Sequence, residues 1–84
     1  MIPDPADVEA LVAAVSPMFV GQPPEVQGAA LADLLAMWLA GHVAPDPKTT
    51  RQFHEEMLKM HIRAVRRLIP INYAQKIEPL LKRH

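Results

Sequence analysis

The chain has no cysteine, one serine, three glycines and four aromatic residues in 84 positions. Without cysteine there is no disulfide to staple a small fold, no thiol nucleophile and no thiolate metal ligand. The one serine, Ser16, is followed by Pro17 and lacks the Gly-x-Ser-x-Gly setting of an exposed nucleophile. Gly21, Gly28 and Gly41 are too dispersed to form a loop whose backbone amides cradle phosphate. Glu55 and Glu56 are adjacent, so on a helix their carboxylates diverge by about 100° and cannot face one substrate as an acid/base pair. No catalytic residue and no cofactor are expected.

Long hydrophobic runs are also missing. A bilayer span needs about 18 consecutive apolar residues. The nearest approach, 29–43, is shorter and holds Asp33 and His42. The opening Met-Ile-Pro-Asp-Pro has no basic segment ahead of an apolar one, so no secretory signal is expected. A membrane-surface helix over 73–84 is disfavoured, since Pro79 interrupts it and few basic residues lie there. The expected location is cytoplasmic, with no membrane partner.

One further absence organises the molecule. Residues 1–46 contain no lysine or arginine, only Asp4, Asp7, Glu9, Glu25, Asp33 and Asp46, a net −6. Residues 47–84 hold all nine basic residues against Glu55, Glu56 and Glu78, a net +6. The chain as a whole is neutral. Such a separation suits an acidic half folding on a basic half, a basic face for an acidic partner, or head-to-tail contact between copies.

What is present is helical grammar punctuated by proline. Asp4-Pro5 supplies an N-cap and a first-turn proline, with Asp7 at the positive end of the dipole. Val8, Leu11, Val12 and Val15 then repeat on one helical face. This predicts a first helix over 5–16, followed by a loop at Gly21-Gln22-Pro23-Pro24. A second helix is predicted over 24–40, with Gly41 as a left-handed cap. It carries Leu31, Leu34, Leu35, Trp38, Leu39 and His42 on a bulky face, and Val26, Ala29, Ala30, Asp33, Met37 and Ala40 on a smaller one. A helix so apolar all round is expected to be buried on more than one side. Asp33, if buried on the small face, would need Arg63 or Arg66 as a partner, from the same or another copy.

Asp46-Pro47 repeats the capping grammar and predicts a third helix over 47–69, ending before Pro70. Its apolar arc is wide, about 200° at 100° per residue. Asn72 is expected to cap a short fourth helix over 73–78, disturbed by Pro79. No segment alternates with period two, so no strand is expected. The fold class is all-α: one domain, a small bundle of three main helices plus a short C-terminal helix. Short connections favour antiparallel neighbours, with the second helix between the first and third.

Four histidines raise the question of a metal. His54 and His61 are seven residues apart, about 10.5 Å along a helix, whereas a helical chelate needs a spacing of three or four. Metal ligation is not expected. His42, His54 and His61 are read as packed, hydrogen-bonded side chains. Half-buried imidazoles can also make an association pH-sensitive.

These features predict a non-enzymatic protein–protein interaction module: a small regulator, adaptor or antagonist, acting as a homodimer. The second and third helices carry more apolar surface than so short a chain can cover. The expected interface is Met57, Leu58, Ile62, Val65 and Ile69, with Met60 adjoining. The alternative is a nucleic-acid-binding regulator using Lys59, Arg63, Arg66 and Arg67, extended by Lys76, Lys82 and Arg83. Against that alternative, no aromatic side chains interleave with the basic residues, and the acidic half would repel a phosphate backbone.

Overall fold

A computed structural model describes residues 2–82. Among them there are only helices and connecting turns: α1 (Pro5–Val15), a 3-10 turn (Ser16–Phe19), α2 (Pro24–Ala40), α3 (Pro47–Asn72), a π-helical turn (Tyr73–Ile77) and α4 (Glu78–Leu81). The protein is all-α. Among the described residues no helix is long and apolar enough to cross a membrane. Two compact units divide the chain, Met1–Leu35 and Ala36–His84, and the division falls inside α2.

In the first unit the chain starts as its sequence dictates. The Asp4 carboxylate accepts the Ala6 amide at 2.9 Å, and Pro5 occupies the first turn, where no N–H is needed. Pro17 removes a donor from the helical ladder, and the backbone tightens into the 3-10 turn. The Ser16 hydroxyl, lacking a better partner, donates back to the Val12 carbonyl at 2.7 Å. The reversal toward α2 uses Gly21 at φ 86°, a conformation that a Cβ would strain. Gln27 then reaches back from α2 and donates to the carbonyls of Phe19 (2.7 Å) and Gln22 (3.1 Å), tying the loop to the helix.

In the second unit the start of α3 is closed twice. Asp46 accepts the Thr49 amide and hydroxyl, both at 2.8 Å. Those two donors hold its carboxyl below the ordinary carboxylate value, the amide bond contributing most. Thr50 accepts the Ala44 amide at 3.0 Å and donates to the Asp46 carbonyl at 2.9 Å, fixing the approach of the preceding loop.

Three local expectations are corrected. Gly41 is not left-handed, because Gly21 alone among the described residues has positive φ. Instead α2 ends by tightening: the His42 amide donates to Leu39 at 3.1 Å, and the His42 ring takes the Trp38 carbonyl at 2.7 Å. With those carbonyls satisfied, no left-handed cap is required. Pro70 does not end α3, which continues through it to Asn72. Proline removes one N–H and crowds one carbonyl, that of Arg66, and the helix absorbs this before widening into the π turn. Asn72 is helical and makes no capping bond, since the chain never leaves the helical region there. Pro79 sits in the first turn of α4, where a proline is tolerated.

Burial is thin. Leu39, at 8% exposure, is the one buried hydrophobic side chain among the described residues. The expectation that α2 is buried on several sides is not met: Leu31, Leu34, Met37 and Trp38 are all about half exposed or more. A chain this small lacks the covering elements.

Candidate functional site

The second unit shows how α3 is covered and where the covering stops. Thr50, His54, Met57, Leu58, His61 and Ala64 are half-buried and recur at helical spacing, forming one face. The end of α2 lies against it. Trp38 and His61 rings meet edge-on with centroids 4.8 Å apart, Trp38 and His42 at 4.7 Å, and His42 and Phe53 at 6.0 Å. Passing from Trp38 on α2 to His42, just beyond its end, retreats along α3 from His61 to Phe53, so the chain here meets α3 in the opposite sense. Such ring pairs are favoured by the quadrupole of the indole and phenyl groups.

The three histidines serve this packing. Each ring nitrogen in a short contact faces a backbone carbonyl, which can only accept, so each imidazole donates there. His54 donates through Nε2 to the His42 carbonyl at 2.7 Å, and His61 through Nδ1 to the Met57 carbonyl at 2.9 Å. His42 donates through Nδ1 to Trp38. No group of three or more His, Asp or Glu side chains among the described residues is arranged to hold a metal ion.

Beyond Ala64 the same face of α3 continues as Val65, Leu68 and Asn72, but it is open. Val65 is 52% and Ile69 61% exposed, and Leu68, Ile71, Tyr73 and Ile77 are also exposed. Together Val65, Leu68, Ile69, Asn72, Tyr73 and Ile77 line a groove of about 440 Å³. Its far wall exists because α3 passes through Pro70. The residues expected to form an interface therefore divide. Met57 and Leu58 are half-buried in the covered part, while Ile62, Val65 and Ile69 stand exposed in or beside the open part. Leu68, Tyr73 and Ile77 were not among them. Leu68 carried a periodicity signal, but the two residues after Pro70 could be joined to the groove only once that proline was known not to end the helix.

Four basic residues of α3, Lys59, Arg63, Arg66 and Arg67, are all exposed on the opposite side. Lys59, Arg63 and Arg66 flank Ile62 around a shallow hollow of about 340 Å³. Lys76 and Lys82 are exposed beyond them, and Arg83 lies outside the described residues. Asp33 is exposed on α2, so no buried partner is required of it.

The first unit has an apolar groove of its own, also about 440 Å³, lined by Leu11, Val12, Val15, Ser16, Phe19 and Leu31. Leu11 is 66% exposed there, on a stripe that helical spacing made visible. Comparison with known proteins finds no family model, no curated protein and no solved structure that matches the chain.

Proposed function

We propose that this protein works by docking on another protein chain, as a small non-enzymatic regulator, adaptor or antagonist, and that it associates with a second copy of itself. The observation that carries this reading is the open continuation of the covered face of α3. Val65, Leu68 and Ile69 share a helical face with Met57 and His61, yet they stand exposed. A contiguous apolar surface of this kind is costly in water and is the usual mark of a binding face. Helix-in-groove recognition uses such anchors at spacings of three and four. The same reading takes the three main helices as a small bundle with α2 between the others. The antiparallel pairing of Trp38 with His61 and His42 with Phe53 supports its α2–α3 part.

The test is sedimentation equilibrium of the wild-type chain beside the double variant Val65→Asp, Ile69→Asp. The wild type is expected to self-associate, and the variant to be monomeric with unchanged helical circular dichroism. A wild type that stays monomeric into the millimolar range would defeat the self-association, and an equally monomeric variant would add nothing to save it.

A second reading, nucleic-acid binding, is favoured by the exposure of Lys59, Arg63, Arg66 and Arg67 on one side of a single helix. Replacing the three arginines by alanine abolishes an electrophoretic shift of DNA or RNA on that reading, and on the first leaves the apolar docking face of α3 unaltered.

A further inference from the structure

The open groove of α3 lies in the most basic part of the chain. Between Glu56 and Glu78 there is no acidic residue, and Lys59, Arg63, Arg66, Arg67 and Lys76 all fall within that span. On a wheel of 100° per residue, Arg66 borders the apolar arc at one edge and Arg67 at the other. The fitting occupant is therefore an apolar helix face bordered by acids. The chain contains one. On α1, Val8, Leu11, Val12 and Val15 make a stripe bordered by Asp7 on one edge and Glu9 on the other, and the first unit has no lysine or arginine. Val8, Leu11 and Val12 are exposed, as are both acids. Each stripe thus stands open and carries the charge that the other lacks.

We propose that a second copy of the chain supplies the occupant: α1 of each copy lies on the Val65–Ile77 groove of the other. This rests on the docking reading above and names its partner surface. Two considerations favour a reciprocal pair. A stable interface takes about 20–30 residues a side, more than either stripe provides alone, and a two-fold exchange uses both stripes of both copies. It also closes on itself, leaving no unsatisfied stripe to propagate into a fibre. The separation of −6 in residues 1–46 from +6 in residues 47–84 then acts between copies, steering opposite halves of the sequence together and opposing a pairing of basic α3 with basic α3. The bundle is completed by two chains.

Charge reversal separates this arrangement from its rivals. One variant carries Asp7→Lys and Glu9→Lys, the other Arg66→Glu and Arg67→Glu. Sedimentation equilibrium at low ionic strength is expected to show each variant self-associating at least about tenfold more weakly than wild type, the size of effect one like-charge juxtaposition produces. Mixed in equal amounts, the two are expected to recover a dimer containing one of each, because both exchanged contacts again join acid to base. That recovery also shows that neither variant had failed to fold. If the Asp7/Glu9 variant dimerises like wild type, α1 is not the occupant, and the inference fails while docking through α3 survives. If the mixture stays monomeric, the inference fails as well. A wild type that is monomeric at every concentration overturns the inference and the self-association beneath it, and an arginine-dependent shift of DNA or RNA by that monomer would assign the basic residues to nucleic acid instead.

Discussion

The two halves of α3 have the same kind of apolar face and opposite circumstances. Over 50–64 the Trp38 ring and the residues just after α2, His42 and Ala44, lie on it, histidine rings bond to backbone carbonyls, and Met57 and Leu58 are half-buried. Over 65–72 comparable side chains, Val65, Leu68 and Ile69, face outward. The pattern of the sequence does not change at Ala64; the covering element simply ends. A continuous amphipathic helix on a short partner records where a second surface must arrive, and that is the sense in which the open half is informative.

Cutting into the covered half has the largest expected effect. Leu39→Ala removes the one buried hydrophobic side chain of the described residues, and truncations of that type cost about 2–5 kcal/mol, here toward the lower end because the surrounding packing is thin. The matching cut in the open half, Leu68→Ala, is expected to cost under about 1 kcal/mol in the dissociated chain, as exposed sites do. Urea denaturation of both variants at a dilution where the chain is monomeric checks the contrast; equal losses would erase the distinction between the halves.

Pro70 sharpens the comparison from the other side. An interior proline costs a helix about 3 kcal/mol, so Pro70→Ala is expected to stabilise the open half by about 1–3 kcal/mol. Amide hydrogen exchange would show the gain as added protection over 66–77, with 50–64 unchanged. Smaller again is Gly41→Ala at the end of α2. Its backbone is not left-handed, and an added Cβ would meet only the Met37 and Trp38 carbonyl oxygens at 3.6 Å, an ordinary contact. The expected result is a gain of about 0.5–1 kcal/mol. A loss would restore the left-handed cap.

The smallest effect concerns the start of α3. The Asp46 carboxyl is held below its ordinary value by the Thr49 amide and hydroxyl. Its folded-state affinity for protons is thus lower than its unfolded one, so its contribution is present above the ordinary carboxylate range and is lost as pH falls through the folded value. Asp46→Asn keeps a capping oxygen without the charge. The difference in melting temperature between wild type and variant should be constant near neutrality and shrink toward acid pH; a difference that is flat to low pH would remove the role of the carboxylate.

Much of this was legible beforehand. Asp4-Pro5 and Asp46-Pro47 placed the starts of α1 and α3, because a cap and a first-turn proline depend only on neighbouring residues. Periodicity marked the apolar stripes of α1 and α3. What local patterns missed were outcomes set by competition. Gly41 suggested a left-handed cap, but the His42 ring and amide satisfied the helix end first. Pro70 and Asn72 looked like a stop and a start, yet one lost hydrogen bond was too little to break a 26-residue helix. The division of the expected interface into half-buried Met57 and Leu58 and exposed Ile62, Val65 and Ile69 depends on where α2 ends in space, which no spacing within α3 encodes.

The most direct measurement is methyl NMR of Val65, Leu68 and Ile69 with a paramagnetic agent dissolved in the solvent, recorded from micromolar to millimolar protein. These methyls are expected to become shielded as concentration rises, while those of Met57, Leu58 and Leu39 hold constant. Methyls of the open half that are shielded equally at every concentration, or equally exposed at every concentration, would contradict it.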